Sequence, residues 1–220
     1  MTTVADTPSG STAGIVYLLD DEAAVLDAIA FMLTSRGLDV RPHASGPALL
    51  ATVDATARPL PGVFLLDIRM EPMSGPRVHA ELVARRLRNP VLFLSGNGDI
   101  PMAVEALKNG AFDFLEKPYS DNALAVRVEQ ALAVDATLHR HDARAAERDA
   151  RLSSLTDREH EVMQRVAAGK LNKVIADELH VSVRTVEVHR ARVYAKLGVR
   201  SAAEVATVLA GSAPTPTQDA

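Results

Sequence analysis

Short apolar runs alternate with segments of helical periodicity along the first half of the chain. The runs predict β-strands at residues 15–19, 40–43, 63–66, 91–94 and 112–115, of which the second is the weakest. Between them, apolar residues at helical spacing predict helices at residues 22–36, 47–53, 76–87 and 101–109. Strands that alternate with helices form parallel sheets. The pattern therefore predicts an α/β domain with a doubly wound parallel sheet, which we place at residues 14–120.

A long helical segment follows, at residues 121–152. Apolar residues recur in it every seven positions, at Leu124, Ala131, Leu138, Ala145 and Leu152. Such a repeat can mark a coiled coil. The companion heptad positions, however, hold Val128 and then Asp135, Asp142 and Asp149, and these acids would repel one another across a parallel dimer. Two interpretations therefore stay open, a solvated helical linker and a coiled coil.

The pattern becomes entirely helical from residue 153 to residue 210. Thr156 and Glu159 form a capping-box signature for a helix that runs to residue 168. Three further helices are predicted, at residues 173–179, 183–197 and 202–209. The first two of these, joined by a short turn, form a helix-turn-helix candidate. We expect the two ends of the chain, residues 1–13 and 211–220, to be disordered tails.

Composition narrows the class of protein. The chain has 220 residues, of which 47% are hydrophobic and 24% are charged, and this is an ordinary composition for two small globular domains. It has no cysteine, which excludes disulfides and cysteine-ligated zinc. No apolar run approaches the length of a membrane span, and the first residues lack the features of a secretory signal. We therefore expect a cytoplasmic protein without membrane contact.

Polar residues follow four of the predicted strands. Asp20, Asp21 and Asp67 come after or near the ends of two apolar runs, and Ser95 and Lys117 follow two others. In open α/β sheets, ligands bind beyond the carboxyl ends of the strands. Converging carboxylates repel one another, so a divalent cation such as Mg²⁺ is expected, and a hydroxyl with an ammonium suits phosphoryl oxygens. The alternative for each aspartate is a helix cap.

Basic residues concentrate on the third helix of the second half, although the formal net charge of the whole chain is −4. Arg184, Arg190, Arg192 and Lys196 stand there against one acid, Glu187. Lysine and arginine neutralise backbone phosphates, so the helix is a candidate for DNA binding. The alternative is a solvated basic face on an ordinary helical bundle.

The histidines and Phe114 give little information about function from the sequence alone. The seven histidines show no metal-ligand spacing, and His139 and His141 are interpreted as surface residues of a helix. Phe114, three residues before Lys117, is interpreted from composition alone as a core residue, since aromatic side chains are bulky and usually buried.

Taken together, these motifs resemble two-component response regulators of the FixJ/NarL type, with a LuxR-type helix-turn-helix output domain, over residues 15–209. The receiver motifs are Leu19-Asp20-Asp21-Glu22, Leu66-Asp67-Ile68-Arg69-Met70, Leu94-Ser95-Gly96 and Glu116-Lys117-Pro118. The output motif runs from Leu155-Thr156-Asp157-Arg158-Glu159 through Asn172-Lys173-Val174-Ile175-Ala176 to Arg184-Thr185-Val186-Glu187-Val188-His189-Arg190. The resemblance implies a flavodoxin-like five-stranded sheet of order 2-1-3-4-5, followed by a four-helix DNA-binding domain.

The resemblance also implies roles for the receiver residues. Asp67 would accept a phosphoryl group from a sensor histidine kinase. Mg²⁺ would be held by Asp20, Asp21, Asp67 and the backbone carbonyl of Arg69. Ser95 corresponds to the switch hydroxyl, Lys117 to the ammonium of the family's site and Phe114 to the switch aromatic.

In the output domain, the resemblance implies that one set of residues points at DNA bases, namely Glu187, Val188 and Ala191. A second set would meet phosphates or base edges, namely Lys173, Arg184, Thr185, Arg190 and Arg192. The implied protein is a phosphorylation-activated transcription regulator that forms a homodimer on phosphorylation and binds promoter DNA. RNA polymerase is a further candidate partner.

Two departures from the family pattern leave alternatives open. Glu71 stands where the family usually has proline, and Leu171 replaces a small hydroxyl residue. A phosphorylation-independent DNA-binding or scaffold protein is one alternative. The other is a Mg²⁺-dependent phosphohydrolase with an aspartate nucleophile, resembling the haloacid-dehalogenase group. That chemistry needs a second acid two residues after the nucleophile, where this chain has Arg69, so we do not expect an enzyme.

Overall fold

The computed structural model of the chain describes residues 14–96 and 100–211. These residues form two compact units, one that ends at His139 and one that begins at Arg140. The predicted disordered tails lie outside the described residues, apart from Gly211. Within the described ranges, no helix is long and apolar enough to cross a membrane.

The first unit contains a parallel sheet with the strand order β2-β1-β3-β4-β5. Its strands are β1 (Ile15–Leu19), β2 (Asp39–His43), β3 (Val63–Asp67), β4 (Val91–Ser95) and β5 (Asp113–Glu116). All four strand pairs are parallel. The predicted fold is therefore confirmed. β3 and β4 each extend one residue beyond the predicted apolar run, so the strands themselves carry Asp67 and Ser95.

Four helices connect the strands, and a fifth follows the sheet. They are α1 (Ala23–Thr34), α2 (Gly46–Ala55), α3 (Gly75–Ala84), α4 (Ile100–Lys108) and α5 (Asp121–Ser153). Two of them are shorter than the sequence pattern predicts. α1 ends before Gly37, and α3 ends before Arg86, because both residues adopt left-handed backbone conformations with φ of 85° and 58°.

The core of the first unit lies on both faces of the sheet. Tyr17, Phe64 and Phe93 are fully buried on one face, and Leu18 and Leu65 are fully buried on the other. A parallel sheet covered on both faces needs continuous apolar strands, which explains why these runs do not alternate with polar residues. Burial of each such side chain contributes roughly 1.5–3 kcal/mol to the free energy of unfolding.

The first half of α5 belongs to this core. Leu124, Ala125, Val128 and Ala131 are all fully buried there. Their spacing of three and four residues places them on one face of the helix. The predicted domain limits assign the whole of residues 121–152 to a linker, whereas the structure groups this helix with the first unit as far as His139.

The second unit is helical. After the end of α5 it contains α6 (Asp157–Ala167), α7 (Asn172–Leu179), α8 (Val183–Leu197) and α9 (Ala202–Leu209). The capping box predicted for α6 is present, and the hydroxyls of Ser182 and Ser201 cap α8 and α9. α7 and α8 meet through a turn in which His180 adopts a φ of 53°. Val186, Val193 and Ile175 are fully buried in the core beneath them.

Candidate functional site

Three charged side chains meet at one edge of the parallel sheet. Asp20 follows β1, Asp67 is the last residue of β3, and Lys117 follows β5. The carboxyl ends of parallel strands point to the same edge, so residues far apart in sequence converge there. The Lys117 Nζ lies 2.7 Å from the Asp67 Oδ1 and 3.3 Å from the Asp20 Oδ2. One ammonium thus bridges two carboxylates.

The backbone around these carboxylates supplies two more hydrogen bonds. The Glu22 amide donates to the Asp20 Oδ1 at 2.9 Å, and the Arg69 amide donates to the Asp67 Oδ2 at 2.8 Å. Asp20 therefore accepts the amide of the residue that precedes α1 and also faces Lys117, but it does not cap the helix, since α1 has no side-chain cap. Gly75 packs closely here, since a Cβ atom on it would lie 2.1 Å from the Asp67 carbonyl oxygen.

The electrostatics of this cluster leave negative charge uncompensated. Asp20 is 1% exposed and Asp67 is 8% exposed, and they share one lysine. Burial raises the pKa of Asp67, and the neighbouring Asp20 raises it further, against the opposing effect of Lys117. Burial lowers the pKa of Lys117, but the two carboxylates outweigh that effect and raise it above its ordinary value. Burial is thus the main cause of the raised pKa of Asp67, and the two carboxylates are the cause of the raised pKa of Lys117. Two buried acids that share one lysine can attract a further cation or proton.

Ser95 and Phe114 lie beside this cluster. Ser95 is fully buried, its Oγ donates to the Leu115 carbonyl at 3.4 Å, and its own carbonyl accepts the Lys117 amide at 2.7 Å. Phe114 is half-buried and packs against the same core cluster as Phe93. It is therefore neither a fully buried core residue nor a free surface aromatic.

A shallow cavity of about 330 Å³ opens next to the carboxylates. Asp21, Arg69 and Glu71 are exposed side chains that line it. The acid that departs from the family pattern therefore lies on the rim of this cavity together with Asp21, where it adds negative charge.

The predicted Mg²⁺ ligands are not assembled as a three-carboxylate site. In the described ranges, no group of three or more histidine or acidic side chains is arranged to hold a metal ion. All four carboxylate oxygens of Asp20 and Asp67 accept hydrogen bonds, two of them from Lys117. The donor chemistry nevertheless fits Mg²⁺, because oxygen ligands and uncompensated negative charge are what a hard divalent cation requires.

The predicted DNA-binding residues lie on α8 and at the start of α7. Most of them have exposed side chains, namely Lys173, Arg184, Glu187, Val188, Ala191 and Arg192. Thr185 is half-buried, and its hydroxyl lies 2.8 Å from the Ser182 Oγ at the beginning of α8. α8 therefore presents cations, one acid and small apolar groups on its exposed surface.

Arg190 differs from the other predicted DNA contacts. It is half-buried, and its guanidinium donates to the Asn172 Oδ1 and to the Tyr194 hydroxyl, both at 2.9 Å. It also lies over the Tyr194 ring. Arg190 thus joins α8 to the first residue of α7. Leu171, which precedes Asn172, is 74% exposed and supplies no side-chain cap to α7.

Two polar clusters were missed from the sequence. In the second unit, Glu159 is 3% exposed and accepts from Lys196 at 2.6 Å. In the first unit, Asp135 is buried, and the His139 Nε2 lies 3.2 Å from the Leu60 carbonyl oxygen. His139 is therefore a partly buried residue and not a fully exposed surface residue, because its imidazole contacts a loop of the first unit. His141, by contrast, is exposed.

Comparison with known families assigns each of the two units to a domain family. Residues 16–129 match the family model of the response regulator receiver domain. Residues 153–209 match the model of the bacterial regulatory proteins of the luxR family. The first match alone covers more than half of the chain.

Relatives and solved structures agree with this assignment. The C4-dicarboxylate transport transcriptional regulatory protein DctR of Rhodobacter capsulatus is 45% identical over 87% of this chain and 96% of its own length. The transcriptional regulatory protein FixJ of Rhizobium meliloti is 41% identical over 84% of this chain and 90% of its own. The structure of the response regulator StyR is 33% identical and superposes with a TM-score of 0.83, covering 90% of this chain and 98% of its own. The chain therefore belongs to the two-component response regulators and is a transcriptional regulator, with a receiver domain and a LuxR-type DNA-binding domain.

Proposed function

We propose that Asp67 accepts a phosphoryl group from a phosphohistidine of a sensor histidine kinase, and that this modification activates DNA binding by the second unit. The observation that carries the proposal is the placement of Asp67 at the end of β3, within hydrogen-bonding distance of Lys117 and beside Asp20. A carboxylate in this position can attack phosphorus while lysine neutralises the developing charge.

In the proposed transfer, an Asp67 carboxylate oxygen forms a bond to phosphorus while the bond between phosphorus and the histidine nitrogen of the kinase breaks. Lys117 binds a phosphoryl oxygen after transfer, and Ser95 can donate to another if its hydroxyl leaves the Leu115 carbonyl. Asp20, Asp21 and Asp67, with the Arg69 carbonyl, would hold Mg²⁺. When bound, this cation supplies positive charge against the repulsion between phosphoryl oxygens and the acids.

The available interactions are comparable in size to the free energy that switches a two-state domain. Two charge-assisted hydrogen bonds, from Ser95 and Lys117, contribute about 3–6 kcal/mol as an upper range. A change of a two-state equilibrium from 1:99 to 99:1 requires about 5.5 kcal/mol. The margin is small, since Lys117 already pairs with two carboxylates. Movement of Ser95 would change the space available to Phe114, which is the proposed link to the surface of the domain.

Phosphorylation is proposed to produce a homodimer through the surface of α4, β5 and α5. α4 exposes Met102, Val104 and Leu107, and α5 exposes Val126. Exposed apolar groups of this kind favour association. Dimerisation matters because one helix-turn-helix reads a short half-site, whereas two linked modules make the second binding event intramolecular.

The second unit is proposed to bind promoter DNA through α8. Lys173, Arg184 and Arg192 would contact phosphates, and Glu187, Val188 and Ala191 would face base edges. Arg190, held by Asn172 and Tyr194, would orient α7 relative to α8 unless DNA displaces it. The kinase and promoter DNA are the proposed partners, and RNA polymerase is a further candidate.

Three observations bear on the alternatives. A phosphohydrolase with Asp67 as nucleophile would need an acid at the position of Arg69, and the named relatives are transcription regulators. A phosphorylation-independent regulator draws support from Glu71, which adds negative charge to the cavity beside Asp67. Phosphoryl acceptance therefore has to be tested directly.

The test treats the full chain and its Asp67→Asn variant with acetyl phosphate and Mg²⁺. Mass spectrometry should show one acid-labile phosphoryl group on Asp67 of the wild type and none on the variant. A matched control is Asp27→Asn, since Asp27 is an exposed acid of α1. Equal phosphorylation of the wild type and the Asp67→Asn variant would refute the assignment, as would the absence of phosphorylation from both.

A further inference from the structure

After the buried apolar residues of α5, which end at Ala131, the same face of the helix carries a buried carboxylate. Asp135 is 5% exposed, whereas the next two residues of the helix are exposed. Its Oδ2 accepts the Gly62 amide at 2.8 Å, and its Oδ1 lies 3.2 Å from the Asn89 Nδ2. Burial raises the pKa of Asp135, and these donors oppose the rise. A buried carboxylate is costly unless it is hydrogen-bonded, so its partners determine whether the helix can pack here.

The loop that receives Asp135 is itself held in place by Asn89. The Asn89 Nδ2 donates to the carbonyls of Leu60 at 2.7 Å and Gly62 at 2.8 Å. Gly62 has a φ of 119°, and a Cβ atom on it would lie 2.4 Å from the Ile15 carbonyl oxygen. Glycine is therefore required at this position, and the loop offers its amide to α5 in one fixed direction.

The next turn of α5 contacts the same loop. The His139 Nε2 lies 3.2 Å from the Leu60 carbonyl oxygen and 3.4 Å from the Asp135 Oδ1, and its side chain is partly buried. Asp135 and His139 are four residues apart, so they lie on one face of the helix. Two successive turns of α5 thus hold residues 60–62.

This loop leads directly into the strand that carries Asp67. Gly62 precedes Val63, the first residue of β3, and Asp67 is the last. Four residue steps of an extended strand separate the two ends, a distance of about 13 Å. One strand therefore links the proposed phosphorylation site to the loop that α5 holds.

We infer that Asp135, Asn89 and His139 form an anchor that fixes α5 to residues 60–62 and couples the helix to β3. Asp135 is thereby a positioning residue for signal transmission, a role that rests on the proposed function of Asp67. α5 continues as one helix to Ser153, beyond the receiver. A helix held at two successive turns can transmit a displacement of β3, whereas a helix that frays after Ala131 cannot.

The anchor is tested in the full chain with Asp135→Asn and Asp135→Ala, and with Glu129→Gln as a matched change of an exposed acid on the same helix. Hydrogen exchange should become about tenfold faster at the Gly62 amide and in the α5 turns after Asp135, because a charge-assisted hydrogen bond is lost. Phosphorylation of Asp67 by acetyl phosphate should be unchanged. The ratio of DNA affinities with and without phosphorylation should fall in both Asp135 variants and not in the control.

The outcomes separate this inference from the proposed function. A lower melting temperature with an unchanged affinity ratio would assign Asp135 a structural role alone and overturn the inference. Unchanged exchange at Gly62 would also overturn it. His139→Gln supplies a second, milder variant should the alanine variant fail to fold. Absence of phosphorylation in the wild type would refute the proposed function, while the exchange measurement would still decide whether the anchor exists.

Discussion

The two units of the protein each contain a buried carboxylate paired with a lysine, and the two pairs behave in opposite ways. In the receiver, Asp67 lies 2.7 Å from Lys117, and burial raises its pKa. In the DNA-binding unit, Glu159 lies 2.6 Å from Lys196, and the lysine lowers its pKa to about 2. The distances are nearly the same, so the pairing distance does not explain the difference.

The difference arises first from burial, which raises the pKa of Asp67 more than its donors lower it, and then from the acids and donors around each pair. Lys117 is shared with Asp20, so two carboxylates compete for one ammonium. Among the described residues, Glu159 is the one acid that pairs with Lys196. It also accepts the Thr156 amide at 2.9 Å in the capping box of α6. A carboxylate that has a lysine of its own stabilises its domain, whereas a carboxylate that shares its lysine with a second acid can still bind a cation or attack an electrophile. The comparison separates a structural ion pair from a reactive one.

The largest expected effect comes from removing each lysine in turn. Lys117→Met should abolish the gain in DNA affinity on phosphorylation, because a contact worth about tenfold or more in the switching equilibrium is lost. Lys196→Met should retain the gain but speed hydrogen exchange in α6. DNA affinity and segment-resolved exchange of the full chain measure both effects. If Lys117→Met still gained DNA affinity on phosphorylation, the two lysine–carboxylate pairs would not differ in function, and the comparison would be wrong.

The next effect concerns the stability of the second unit. Glu159→Gln should lower the local free energy of unfolding of α6 by about 1–2 kcal/mol, because it removes the charge-assisted bond to Lys196. Glu161→Gln on the same helix changes an exposed acid and should cost less than about 0.5 kcal/mol. Hydrogen exchange of the α6 amides provides the measurement. Equal losses in the two variants would contradict the account of Glu159.

The lowered pKa of Glu159 predicts that the stability of the second unit falls as the pH falls. Its pKa in the folded state, about 2, lies below its ordinary value of 4.5. Its contribution to stability is therefore fully present above about pH 4.5 and is lost as the pH falls toward 2. Exchange-based unfolding free energies measured across this range should decline in the wild type and decline less steeply in Glu159→Gln. Parallel curves for the two proteins would contradict the prediction.

The smallest expected effect on stability is that of Asp67→Asn. This substitution should stabilise its unit, whereas Glu159→Gln should destabilise the second unit. Because the pKa of Asp67 is raised in the folded state, its ionised form costs stability at neutral pH. Asp67→Asn should therefore raise the stability of the receiver by about 1 kcal/mol or less, since Lys117 keeps Asp20 as a partner. Denaturant unfolding followed by exchange of the β3 amides checks this. A clear loss of stability in Asp67→Asn would show that the pair with Lys117 is a net stabilising one.

Much of the fold could be predicted from the sequence, because apolar runs and helical periodicity report burial directly. The runs that end at Asp20 and Asp67 also indicated which acids lie at the carboxyl edge of the sheet. Spacing alone could not show that Lys117 bridges them, since the side chains come from separate strands. Nor could it show that Arg190 is held by Asn172 and Tyr194.

Asp135 shows where a signal was present but misinterpreted. Its spacing from Leu124, Val128 and Ala131 places it on the buried face of α5, yet the heptad pattern suggested an acid facing a second helix. Its partners Gly62 and Asn89 are 73 and 46 residues away in sequence, so no local pattern reveals them. Whether the exposed part of α5 forms a coiled coil stays a prediction.

The most direct test of the account is the affinity of the full chain for DNA before and after phosphorylation at a fixed salt concentration. A pool of random-sequence duplexes, from which the bound fraction is enriched and sequenced, supplies the probe. The account predicts that acetyl phosphate with Mg²⁺ tightens binding to the enriched duplex in the wild type and leaves Asp67→Asn unchanged. Equal tightening in both proteins, or none in the wild type, would contradict it.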